Sequence, residues 1–129
     1  LHRSGEESAV GRVLVVEDEA GIRDALATAL VDEGYEVRAA GDGRAALAVL
    51  RGWLPHVILL DLMMPVMDGW AFRAEQRRLD AARHIPVIVL SGARDIPART
   101  DQLGVAAAIA KPFDLDTVLD RVGELAPRR

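Results

Sequence analysis

Val57-Ile58-Leu59-Leu60 is apolar at every position and stops abruptly at Asp61. A strand with one face in water alternates apolar and polar residues, so an unbroken run needs cover on both faces. Central strands of a parallel sheet have that cover, because the helices connecting them pack on either side. Val13-Leu14-Val15-Val16 has the same character and leads into Glu17-Asp18-Glu19, as Val87-Ile88-Val89-Leu90 leads into Ser91-Gly92. A run of small apolar residues at 106–110 leads into Lys111-Pro112-Phe113.

Stretches of helical period separate these runs. Strand one is expected at about 12–16, followed by a helix at about 20–33 marked by Ile22, Leu26, Ala29 and Leu30 and closed by Gly34. Tyr35-Glu36-Val37-Arg38-Ala39 alternates, as a half-exposed edge strand does. Gly41-Asp42-Gly43 reads as a turn without the spacing of a dinucleotide fingerprint, and Ala46, Leu47 and Leu50 mark the next helix. After the strand at 56–60, a helix is predicted at about 68–79 with Phe72 and Leu79 inward. A short helix near 98–103 should be stunted, because Pro97 cannot sit inside it. The last helix, about 115–125, carries Leu115, Val118, Leu119, Val122 and Leu125 as one stripe, with Asp114 as N-cap. Strands joined by single helices imply right-handed crossovers, so the expected fold is a five-stranded, doubly wound parallel α/β sheet with helices on both faces.

A chain of 129 residues fits one domain. We expect a flexible N-terminal arm or remnant at 1–10, a folded unit at 11–126 and a tail at 127–129. No apolar run approaches the roughly 18–20 residues of a membrane span, and the start lacks the apolar centre of a secretory signal. The absence of cysteine removes disulfide and thiolate chemistry, which fits the cytoplasm. A net charge of −4 without a basic stripe argues against direct nucleic-acid binding, and Arg77-Arg78 and Arg128-Arg129 read as solvated surface.

The carboxyl ends of neighbouring parallel strands lie side by side, where open α/β sheets place their ligands. That geometry would gather Glu17, Asp18, Asp61 and Lys111 in one crevice. Lys111 is the only lysine beside fifteen arginines. Arginine supplies surface charge everywhere else, so a compact ammonium here points to a chemical role. Each pair of carboxylates at 4 Å repels by on the order of 4 kcal/mol at an effective dielectric of about 20. A raised pKa or a bound cation relieves this, and an all-oxygen set suits Mg²⁺ or Mn²⁺ rather than zinc. Ser91 adds a hydroxyl and Gly92 an unobstructed N–H. A cation, an ammonium, a hydroxyl and an N–H around one carboxylate can hold the peripheral oxygens of a phosphoryl group. The carboxylate itself can be the nucleophile, forming an acyl phosphate.

Taken together, Val15-Val16-Glu17-Asp18-Glu19, Leu60-Asp61-Leu62-Met63-Met64-Pro65-Val66-Met67-Asp68-Gly69, Leu90-Ser91-Gly92 and Lys111-Pro112-Phe113 resemble the receiver domain of bacterial two-component response regulators, over roughly residues 10–126. The resemblance implies a flavodoxin-like strand order 2-1-3-4-5 and a phosphoacceptor role for Asp61. Asp18 would ligate Mg²⁺ directly, Glu17 through water, and Met63 by its backbone carbonyl. Lys111 would pair with Asp61 and then with the phosphoryl group, with Gly92 beside it, and Ser91 would act as the switch hydroxyl. Pro65 and Gly69 would shape the loop after Asp61, and the Lys111-Pro112 bond would be cis. The donor would be a phosphohistidine on a sensor histidine kinase or phosphotransfer protein; the output partner is open. Two features depart from the family pattern. Ala108 stands where a switching aromatic is usual, and the segment between Ser91 and Lys111 is short and carries Pro97. We therefore expect switching to centre on about 91–104.

Blander roles are expected for other residues. His2, His56 and His84 read as exposed or capping, and Met63, Met64 and Met67 as loop packing. Trp53 and Trp70 read as partly buried anchors, with Trp70 near enough to the crevice to sense its occupancy. A phosphatase of the haloacid-dehalogenase type needs a second aspartate two residues after the nucleophile, where this chain has Met63. A pseudo-receiver, the same fold used for docking without phosphorylation, usually lacks the acid pair, the acceptor or the lysine; this chain has all of them.

Overall fold

The computed structural model describes residues 10–92 and 103–127. The arm before residue 10, Pro97 and nearly all of the short helix expected at 98–103 lie outside those residues. Five strands, β1 (Arg12–Val16), β2 (Glu36–Ala40), β3 (Val57–Asp61), β4 (Val87–Gly92) and β5 (Ala107–Lys111), form one parallel sheet in the order β2-β1-β3-β4-β5. The described helices are α1 (Ala20–Asp32), α2 (Gly43–Leu50), α3 (Gly69–Gln76) and α4 (Leu115–Leu125).

Alternation along the buried strands builds two cores. Val13 and Val15 of β1, Val57 and Leu59 of β3, and Ile88 and Leu90 of β4 pack against Leu26, Leu30, Val118 and Val122 of α1 and α4. The intervening Leu14, Val16, Ile58, Leu60, Val87 and Val89 face Ala46, Leu50 and Phe72 of α2 and α3. Each fully buried Val, Leu or Phe contributes about 1.5–3 kcal/mol, so the unbroken apolar runs are the main adhesive of both layers.

Several boundaries differ from the sequence expectations. β4 runs on through Ser91 and Gly92, which pair with Ala110 and Lys111 of β5, so both residues sit in the ladder. β2 keeps its expected edge position, but Ala40 is buried and Ala39 exposed. α3 ends at Gln76, whose side-chain amide donates to Ala82 O at 2.9 Å and Ile85 O at 3.1 Å. Leu79 lies past that end and still packs on the core. Leu115 is largely outside its expected stripe and exposed. Arginine is not confined to the surface either. Arg73 is buried and donates to Leu103 O at 3.0 Å, Gly104 O at 3.0 Å and Gln76 Oε1 at 2.8 Å, tying α3 to the entry of β5.

Candidate functional site

Strand order reverses between β1 and β3, and the crevice opens there, at the carboxyl ends. β1 delivers Glu17 and Asp18 to it, β3 Asp61, β4 Ser91 and β5 Lys111. One carboxylate oxygen from each of Glu17, Asp18 and Asp61 lies within 4.8 Å of the others. Lys111 Nζ stands 2.8 Å from Glu17 Oε1 and 3.3 Å from Asp61 Oδ2. The lysine expected on Asp61 makes its shorter contact with Glu17. Asp61 Oδ1 accepts the Met63 N–H at 3.2 Å, and Glu17 Oε2 accepts the Glu19 N–H at 3.1 Å. Glu17, Asp61 and Ser91 are buried, whereas Asp18 is open to solvent at the rim.

The charges are strained by this enclosure. Burial pushes the Asp61 carboxyl from 3.8 up to about 7, with help from the Glu17 charge and a hydrogen bond with Asp18. The Met63 N–H and the Lys111 charge pull the other way without winning. For Lys111, burial opposes the charge, but the hydrogen bond to Glu17 and the charges of Asp61 and Glu17 outweigh it, and its pKa lies above the ordinary value. Among the described residues Ser91 Oγ is buried with no hydrogen-bond partner. A buried unpaired hydroxyl is uncommon and calls for an explanation.

The loop after Asp61 is held close by two glycines. A Cβ at Gly69 would lie 2.5 Å from Asp61 O and 2.7 Å from Leu62 Cα, so a side chain there would push α3 off the strand end. A Cβ at Gly43 would lie 2.8 Å from Met67 O, which accepts the Gly43 N–H at 2.9 Å. Between them, Met67 N donates to Pro65 O at 2.7 Å around Val66, whose φ is 67°. A β-branched residue in that region is strained, and such strain clusters at functional sites. The Lys111-Pro112 bond is cis, as expected.

Other expectations are met unevenly. Met64 and Met67 pack on the core, but Met63 is exposed at 59%. Trp53 is buried and Trp70 partly so. His56 is half-buried, and its Nδ1 accepts the Arg12 N–H at 3.0 Å; His84 is exposed. Ala108 is exposed beside a cleft of ≈ 350 Å³ shared with Arg121, Glu124 and Leu125. The sequence reading missed the strained Val66 and also Arg23, whose guanidinium bonds main-chain oxygens behind the acid pair. Neither follows from a periodic pattern.

The family described as response regulator receiver domain matches residues 13–123. The sporulation initiation phosphotransferase F of Bacillus subtilis (strain 168) is 31% identical over 116 residues, 90% of this chain and 94% of its own. The probable transcriptional regulator ycf27 of Porphyridium aerugineum is 38% identical over 104 residues, 79% of this chain; the match spans only 42% of that protein. Among solved structures, the receiver domain of sensor histidine kinase PA1611 from Pseudomonas aeruginosa PAO1 carries a magnesium ion coordinated in its active site cleft. It superposes with a TM-score of 0.81 at 26% identity, covering 90% of this chain and 97% of its own.

Proposed function

The chain belongs to the response regulator receiver domain family of two-component systems, and from that premise we propose that Asp61 accepts a phosphoryl group in a divalent-cation-dependent reaction. The observation that carries the proposal is the contact set around Asp61: two further carboxylates within 4.8 Å and the Lys111 ammonium at 3.3 Å. An all-oxygen cluster of this kind fits Mg²⁺ or Mn²⁺. Glu17, Asp18, Asp61 and the Met63 carbonyl would hold the ion, and its charge would offset that of the phosphoryl oxygens.

The residues divide the remaining work. An Asp61 carboxylate oxygen attacks phosphorus as the P–N bond of a phosphohistidine donor breaks. The electron pair stays on the imidazole nitrogen, which takes up a proton. Lys111 exchanges its contact with the Asp61 oxygen for one with the phosphoryl group. The unpaired Ser91 hydroxyl would gain an acceptor once phosphoryl oxygens arrive, which accounts for the orphaned Oγ, and the Gly92 N–H would lie beside them. Ser91 would move toward them and switch the domain.

An apolar groove of ≈ 490 Å³ beside Lys111, lined by Ile22, Ala25, Leu26, Pro112, Phe113 and Leu115, suits the helix of a histidine kinase or phosphotransfer partner. Among the described residues no helix is long and apolar enough to cross a membrane, and a cytoplasmic setting fits such donors. The acting unit would be residues 11–126. Acid pair, acceptor and lysine are all present and in contact, which weighs against a docking module that is never phosphorylated.

Intact-mass spectrometry after exposure to acetyl phosphate or phosphoramidate tests the proposal. One phosphoryl group should add in Mg²⁺ and none in EDTA. Equal modification of Asp61→Asn would remove Asp61 as the acceptor.

A further inference from the structure

Arg23 is the single arginine of α1, and it turns toward the main chain rather than toward an acid. Its Nη1 donates to Glu17 O at 2.9 Å and to Asp18 O at 3.3 Å. It forms no ion pair among the described residues. On its other side it rests against the turn after β2, since a Cβ at Gly41 would lie 3.3 Å from Nη1. Ala40 O, at the end of β2 just before that turn, accepts the Glu17 N–H at 3.0 Å, and Glu17 Oε2 accepts the Glu19 N–H at 3.1 Å. The short stretch carrying both acids is therefore fastened at both faces of its peptide groups.

We infer that Arg23 is a positioning residue for the cation site: it holds the peptide between Glu17 and Asp18 so that two mutually repelling carboxylates stay aimed at Asp61. The inference rests on the reading of that cluster as a divalent-cation site. Two effects of opposite sign compete. Through space, a guanidinium repels a divalent cation and weakens its binding. Through the main chain, it fixes the ligand geometry in advance, which strengthens binding. The guanidinium faces carbonyl oxygens, whose negative ends offset its charge, and the rim at Asp18 is open to screening by solvent and salt. The ordering effect should win. Groups that orient metal ligands without touching the metal commonly change affinity by about 10–100-fold.

The test uses the whole chain and two variants. Arg23→Gln removes the charge, and Arg23→Lys keeps it while replacing the planar fork by a point donor. Mg²⁺ titrations followed by tryptophan fluorescence should give a half-saturating concentration about tenfold higher for Arg23→Gln, with Arg23→Lys also raised. At saturating Mg²⁺, phosphorylation by acetyl phosphate should return close to the wild-type rate, a split that general destabilisation would not produce. In the cation-free variants the Glu19 amide should exchange faster with solvent. If Arg23→Gln does not fold, the charge-retaining Arg23→Lys still decides. Variants that bind Mg²⁺ as tightly as wild type, or more tightly, would overturn the inference and leave the site's function standing. A wild-type chain that does not respond to Mg²⁺ would overturn the reading of the site itself.

Discussion

With its carboxyl pushed up to about 7, Asp61 in the cation-free folded chain holds a proton that the unfolded chain gives up near pH 4. Between those values the native state binds the extra proton, so stability falls as pH rises through the window and levels off above it. Asp61→Asn retains an acceptor for the Met63 amide and removes the charge. It should stabilise the cation-free protein by on the order of 2–4 kcal/mol at pH 8 and by almost nothing at pH 4. Urea unfolding at the two pH values checks this; an equal gain at both would show that the buried charge is not the cause. Lys111 poses the complementary question. Its single nitrogen lies between Glu17 at 2.8 Å and Asp61 at 3.3 Å, a position that a bulkier planar fork cannot reproduce. Lys111→Arg should slow phosphorylation by about tenfold or more although the charge is kept. A time course matching wild type would make the lone lysine an accident of composition.

Helix starts show how elements of similar sequence differ in strength. Asp42 and Asp68 each cap their helix, accepting the amides of Ala45 and Ala71 at 2.9 Å, whereas Asp114 sits at the N-cap of α4 without a side-chain bond. Asp42→Ala and Asp68→Ala should each lower stability by about 1 kcal/mol, and Asp114→Ala by clearly less, as thermal unfolding would show. The contrast also marks how far the sequence is legible. Residue type and position mark Asp114 as an N-cap, begin a helix near Asp68 and read Asp42 only as part of a turn, but whether a cap bond closes depends on the chain direction entering the helix. Strand ends behave similarly. The apolar runs located β1, β3 and β4 because burial on both faces leaves a pattern, yet Ser91 and Gly92 join β4 because Ala110 and Lys111 lie beside them. The crevice was legible because it follows from strand order and charge. Arg23, Arg73 and Val66 were not, since a side chain gripping distant carbonyls, or a residue forced to positive φ, leaves no periodic trace.

At the scale of the whole molecule, the proposed chemistry and the anchoring occupy opposite ends of the sheet. The carboxyl end carries Glu17, Asp18, Asp61, Ser91 and Lys111. At the amino end the Trp53 ring lies 4.9 Å from the Arg38 guanidinium and 5.6 Å from that of Arg12. Its Nε1 donates to Glu36 Oε2 at 3.2 Å, and Glu36 also meets Arg12 Nε at 3.4 Å. Strands of five residues span about 16 Å, beyond the roughly 7–10 Å over which substitutions usually couple. The two ends should therefore answer separately. Trp53→Ala should cost about 3–5 kcal/mol, from the cavity and the lost stacking, while the folded fraction keeps its Mg²⁺ affinity and phosphorylation rate. Asp61→Asn should do the reverse, abolishing phosphorylation while stabilising the cation-free chain above neutral pH. Denaturant unfolding and phosphorylation measured on both variants, and on a Trp53→Phe protein that stays fully folded, would decide. A Trp53→Phe chain that folds but is phosphorylated much more slowly would mean that the sheet transmits strain from end to end and does not simply hold its ends apart.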